Sequence, residues 1–89
     1  MRVRVRLLGS LRPTSDVKEL NLELPEGSNV STLIKRVVGI YPQLGGMLDI
    51  SSSGNLIVVG GVEVGNLQGL KTPLGEDSEV VLVPVTHGG

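Results

Sequence analysis

Two stretches of the chain alternate apolar and charged residues with a period of two, and a third repeats apolar residues at helical spacing. In Arg-Val-Arg-Val-Arg-Leu-Leu, residues 2–8, Val3, Val5 and Leu7 fall on one face and Arg2, Arg4 and Arg6 on the other, because successive strand side chains point to opposite sides. Lys18 to Leu24 alternates likewise, with Leu20, Leu22 and Leu24 opposite Glu19, Asn21 and Glu23. Gly9 to Asp16 between them carries turn chemistry, so the pattern predicts a hairpin. On its outer face an Arg row lies beside a Glu/Asn/Glu row, which reads either as a solvated charge ladder or as a docking surface for an acidic partner.

Pro25 to Asn29 is a loop ending in a helix N-cap, since the Asn29 side chain can accept from the free amides of a first helical turn. Val30, Leu33, Ile34, Val37 and Val38 then place one apolar stripe against a sheet and leave Ser31, Lys35 and Arg36 outside. Gly39 or Pro42 ends this helix. Tyr41, Leu44, Met47, Leu48 and Ile50 are expected to continue the core as irregular chain, and Ser51 to Asn55 to form a mobile loop. Leu56 to Val59 reads as a short buried strand, and Gly60-Gly61 as a tight turn before Val62-Glu63-Val64. Asn66 to Ser78 reads as a loop with one turn of helix.

Glu79 to Val83 is the last strand. Val80, Val81, Leu82 and Val83 are apolar on both faces, which fits a strand covered by the helix on one side and by a partner protein on the other. A hairpin at each end with one helix between predicts an α+β fold with the helix across one face of the sheet. The domain is expected over residues 1–84, with 85–89 as a flexible C-terminal tail. Should the last strand pair beside the first, that tail leaves from the middle of the sheet and reaches at most ~16–18 Å when extended.

Composition removes several functions. The 89 residues make one small domain, with little room for a catalytic cleft. Cysteine is absent, and the single histidine is His87, so neither thiolate chemistry, a Ser-His-Asp arrangement nor a Cys/His zinc site is available. The chain is therefore expected not to be an enzyme and to bind neither metal nor cofactor. Eight basic against nine acidic residues, with Tyr41 the sole aromatic, offer no phosphate-tracking face and no base-stacking platform, so no nucleic acid is expected. No apolar run approaches a membrane span, and Met1-Arg2-Val3-Arg4 alternates where a signal peptide would be continuously apolar; the expected location is cytoplasmic, and the expected state a monomer. The glycines form no phosphate-loop or dinucleotide motif.

What remains is the tail, Val85-Thr86-His87-Gly88-Gly89. Gly88 and Gly89 leave the last acyl carbon without a neighbouring side chain, so a narrow enzyme channel can thread it. With Glu79-Val80-Val81-Leu82-Val83-Pro84 before it, the chain resembles the ubiquitin-like β-grasp superfamily, in the branch holding the small subunit of molybdopterin synthase, thiamine sulfur carriers, ubiquitin-related modifier and the small archaeal modifier proteins. The acidic-Val-x-apolar-apolar-Pro stretch is similar to the molybdopterin synthase subunit, and His-Gly-Gly to ubiquitin-related modifier. Asp77-Ser78 departs from the Gly-Asp of many members, and Gly60-Gly61 from a frequent Asn-containing turn.

The resemblance implies a mixed four- to five-stranded sheet and a C-terminal carboxylate, here that of Gly89, that a partner activating enzyme adenylates with ATP. Transfer to target lysines then makes the chain a protein modifier, with a conjugating enzyme, a ligase and a deconjugating protease as further partners. Attack by a sulfur nucleophile instead makes a thiocarboxylate, and the chain a sulfur carrier for molybdopterin, thiamine or tRNA thiolation with a sulfur-transfer enzyme as partner. A third alternative is a binding module that is never activated. The resemblance further places Val80 and Leu82 inward and Val81 and Val83 outward, as a partner patch at the root of the tail. One of those valines packed under the 66–78 loop is the competing reading. Val85, Thr86 and His87 are expected to contact the activating enzyme's channel, and Lys18, Lys35 and Lys71 are the candidate acceptor lysines.

Overall fold

The structure, a computed structural model, describes residues 1–9, 19–45 and 55–84. Its strands are β1 (Arg2–Leu7), β2 (Glu19–Glu23), β3 (Asn55–Val59), β4 (Val62–Glu63) and β5 (Ser78–Pro84), with one helix, α1 (Val30–Ile40). They form a five-stranded sheet in the order β2-β1-β5-β3-β4. β1 and β5 run parallel, while the β1–β2, β3–β4 and β3–β5 pairs are antiparallel, so the sheet is mixed. The α+β architecture is the one expected, and β5 lies at the centre.

The period-two patterns translate directly into burial. Val3, Val5 and Leu7 of β1 are wholly buried, as are Val80 and Leu82 of β5, while Leu22 of β2 and the adjoining Leu24 are nearly so. Against them α1 sets Val30, Leu33, Ile34 and Val37, all buried. Asn29 caps the helix as its position predicts, its Oδ1 accepting from the Thr32 amide at 3.0 Å. Helical backbone continues through Gly39 to Ile40. Pro42 is what ends it, since a proline disfavours helical angles in the residue before it, and Tyr41 sits at φ −126°, ψ 80°.

Leu44 is buried and Tyr41 partly so, continuing the core. Met47, Leu48 and Ile50, the Gly9–Asp16 turn beyond Gly9 and the Ser51–Gly54 loop lie outside the described residues. Gly60 and Gly61 carry φ of 57° and 85°, the two positive angles of a tight hairpin turn.

Two expectations are corrected. β3 is not buried: Leu56 is exposed and Ile57, Val58 and Val59 are intermediate, because its outer face is uncovered and β4 pairs only with Val58 and Val59. β4 stops at Glu63, where the chain winds into a 3-10 turn, Val64–Asn66, whose Gly65 amide donates to the Glu63 carboxylate at 2.8 Å. The connection to β5 holds the one helical turn expected there, Gly69–Lys71, and it is anchored to the start of the helix. There the Val30 amide donates to Thr72 O at 3.1 Å and the Leu74 amide to Ser28 O at 3.0 Å. The buried hydroxyls follow suit, Ser28 Oγ donating to Pro25 O and Thr72 Oγ1 to Gly69 O, each at 2.6 Å.

Two stability outcomes follow. Leu33→Ala removes a wholly buried side chain between helix and sheet and is expected to cost about 2–5 kcal/mol in urea unfolding; a midpoint equal to the parent's would contradict the packing. Asp77 occupies the left-handed region at φ 61°. Relief of that strain, ~1–2 kcal/mol, outweighs the extra unfolded-state freedom of glycine, ~0.5–1 kcal/mol, so Asp77→Gly is expected to raise the midpoint. A lowered midpoint would mean that the Asp77 side chain itself holds the turn.

Candidate functional site

Because β5 is central, its outward side chains sit in the middle of the sheet face that α1 does not cover. Val81 and Val83 alternate with the wholly buried Val80 and Leu82 and are themselves only half-buried. Neither is packed away in the core. Register then adds two residues that the sequence reading missed: Val58 is the direct partner of Val81, and Leu56 of Val83. Directly opposed side chains on one face stand about 4.5–5.5 Å apart at Cβ, so these four form one contiguous apolar quartet across β3 and β5. Leu56 is 37% exposed, a large apolar side chain open to water. Residues 56–59 are apolar without a break, so only the pairing with β5 shows which two face outward.

Charges frame the quartet. On the β1 side the Arg2, Arg4 and Arg6 row lies opposite Glu23, Asn21 and Glu19 of β2, in the expected register. Arg4 nevertheless reaches the other way, its Nη2 lying 3.5 Å from Glu79 Oε2 on β5, while Arg2 Nε is 4.0 Å from Glu23 Oε1. All four side chains are substantially exposed, so the two pairs contribute ~0–1 kcal/mol each. On the other side stands Glu63 of β4, the register partner of Val58. A dent of about 400 Å³ bordered by Arg2, Asn21, Leu22 and Glu23 opens on the β1–β2 side.

At Pro84, paired with Asn55, the described part of β5 ends. The tail residues Val85, Thr86, His87, Gly88 and Gly89 follow it and, like Lys18, lie outside the described residues. Lys35 and Lys71 are exposed. Lys35 is on α1 and Lys71 on the turn that packs beside α1, so neither belongs to the open sheet face. Among the described residues no group of three or more His, Cys, Asp or Glu side chains is placed to hold a metal ion, and no helix is long and apolar enough to cross a membrane.

Comparison with known proteins finds relatives of the whole fold. The chain is similar to small archaeal modifier protein 1 from Methanosarcina acetivorans, with 26% identity, a TM-score of 0.82 and coverage of 99% of this chain and 96% of that one. Small archaeal modifier protein 1 from Haloferax volcanii matches over 100% of both chains with 16% identity and a TM-score of 0.83. A complex of subunits 1 and 2 of the molybdopterin-converting factor from Helicobacter pylori contains a chain that matches over 100% of both, with 18% identity and a TM-score of 0.63. A search of curated proteins by sequence finds no match. The fold is thus the ubiquitin-like β-grasp, and the chain is of the carrier or modifier kind, not an enzyme. The model of the ThiS family matches residues 5–89, and the chain belongs to that family.

Proposed function

We propose that the chain is a ubiquitin-like modifier, in which residues 1–84 dock on an activating enzyme and residues 85–89 deliver the Gly89 carboxylate for adenylation and transfer to target lysines. The observation that carries this reading is the central strand β5. One of its faces is sealed, the other presents Val81 and Val83, and Gly88 and Gly89 lie four and five residues beyond its end in the sequence. The likeness to an archaeal modifier over nearly the whole chain supports modification in particular.

The chemistry divides between the two proteins. A carboxylate is a poor electrophile, so a Gly89 oxygen attacks the α-phosphorus of ATP, pyrophosphate leaves, and the resulting acyl-adenylate loses AMP to an attacking nucleophile. Catalytic groups and ATP belong to the activating enzyme. This chain contributes position: a docked body fixes the tail's origin, and Gly88 and Gly89 fit a narrow channel past Val85, Thr86 and His87. Lys35 and Lys71, exposed and away from the open face, are available as acceptors while that face is occupied, and Lys18 is the third lysine in the sequence.

The second reading is a sulfur carrier. It is favoured by membership of the ThiS family and by the likeness to a subunit of the molybdopterin-converting factor. Here a sulfur nucleophile displaces AMP and leaves a thiocarboxylate. Mass spectrometry of material from the source cells separates the two: Gly-Gly remnants on target lysines mark modification, and an intact mass raised by the difference between sulfur and oxygen marks the carrier.

Deleting Gly89, or making Gly89→Ile, is expected to abolish ATP–pyrophosphate exchange with the activating enzyme and to leave the unfolding midpoint unchanged. Undiminished exchange by the shortened chain would sink the adenylation reading. For the patch, Val81→Asp combined with Val83→Asp introduces charges that a covered interface must desolvate, so half-saturation is expected to rise more than about tenfold while the rate at saturation recovers. A double variant unfolded by circular dichroism, or one with the parent's half-saturation, would place the partner surface elsewhere.

A further inference from the structure

The three arginines of the open face are not equivalent. Arg2 is compensated by Glu23 and Arg4 by Glu79. Arg6 forms no ion pair among the described residues, although Glu19 is its register partner on β2. Its register partner on the other side is Val81, so this exposed guanidinium borders the apolar quartet directly. The remaining charges beside the quartet are engaged: Glu79 pairs with Arg4, and the Glu63 carboxylate accepts from the Gly65 amide at 2.8 Å. Among the described residues Arg6 alone of these charges has no such partner.

We propose that Arg6 is a partner-recognition residue, pairing with a carboxylate that the activating enzyme presents beside an apolar ridge seated on Leu56, Val58, Val81 and Val83. The inference rests on the modifier reading only in taking the activating enzyme as the partner. In the free chain Arg6 is hydrated. Covering Val81 strips water from the adjacent guanidinium, so an apolar surface without an acid loses affinity to an uncompensated cation. A surface with a suitably placed carboxylate regains that loss through charge-assisted, bidentate hydrogen bonds, for which the planar arginine fork is shaped. The quartet therefore supplies contact area, and Arg6 decides which apolar surface is accepted. Salt-sensitive association is the signature of such a contact.

The test uses the full chain and the source cells' own ATP-dependent adenylating enzyme of the kind that serves ubiquitin-like carriers, produced recombinantly and chosen without reference to its activity toward this chain. Binding is measured by calorimetry without ATP at two ionic strengths. Arg6→Glu is expected to weaken binding at least about tenfold, equivalent to ~1.4 kcal/mol, and Arg6→Gln to flatten its salt dependence. Arg2→Gln, which removes an internally compensated cation, is expected to keep the parent's affinity and salt dependence. Parent-like binding by Arg6→Glu, or identical losses in Arg2→Gln and Arg6→Gln, would overturn the inference. Exchange activity is scored separately, so Arg6-dependent binding by a chain lacking acyl transfer to AMP would uphold the contact and contradict the adenylation reading.

Discussion

A strand that is apolar at four successive positions keeps more of that surface from water between two flanking strands than at a sheet edge, and this constraint on Val80-Val81-Leu82-Val83 organises the molecule. Placed centrally, β5 has its backbone satisfied on both sides by β1 and β3. Its inner pair, Val80 and Leu82, disappears under α1, each such burial contributing roughly 1.5–3 kcal/mol. Its outer pair has nothing above it. The same residues that hold the sheet together thus leave Val81 and Val83 half in water, where their remaining apolar area is available to stabilise a complex.

The rest of the scaffold fixes β5 in that place. The Arg2 amide donates to Glu76 Oε2 at 2.9 Å and Arg2 O accepts from the Asp77 amide at 2.8 Å, so the turn before β5 is fastened to the first residue of β1. That fastening sets the parallel register running from Val3 opposite Ser78 to Leu7 opposite Leu82. Farther back, the Thr72 and Leu74 bonds to the start of α1 tie the same connection to the helix. Body and strand are therefore one rigid piece, which is what lets a docked sheet face determine where the residues after Pro84 begin.

Much of this was legible in the sequence, for reasons that are local. The alternation of residues 2–7 and 19–24, the apolar stripe of 30–37 behind an Asn cap, and the Gly60-Gly61 turn each depend on neighbours within a few positions. The half-exposure of β3 was not legible, because it depends on how short β4 is and on the missing cover over the outer face. Leu56 and Val58 went unrecognised for the same reason, while the outward placement of Val81 and Val83 came from the resemblance, because a run of four apolar residues does not by itself say which two face out. Arg4 choosing Glu79 over β2 reflects a parallel pairing between residues far apart in sequence, for which no local pattern exists. Asp77 at a positive φ is marked in sequence only by standing where the resemblance has glycine.

The central claim is that the face of β3 and β5 opposite the helix is the surface an activating enzyme covers. Methyl-resolved NMR of the chain during titration with that enzyme tests it most directly, because Leu56, Val58, Val81 and Val83 report from the open face and the exposed Ile40 from the helix. The account predicts that the four open-face residues shift and broaden together while Ile40 is unchanged. Broadening at Ile40 with undisturbed Leu56, Val58, Val81 and Val83 would contradict it.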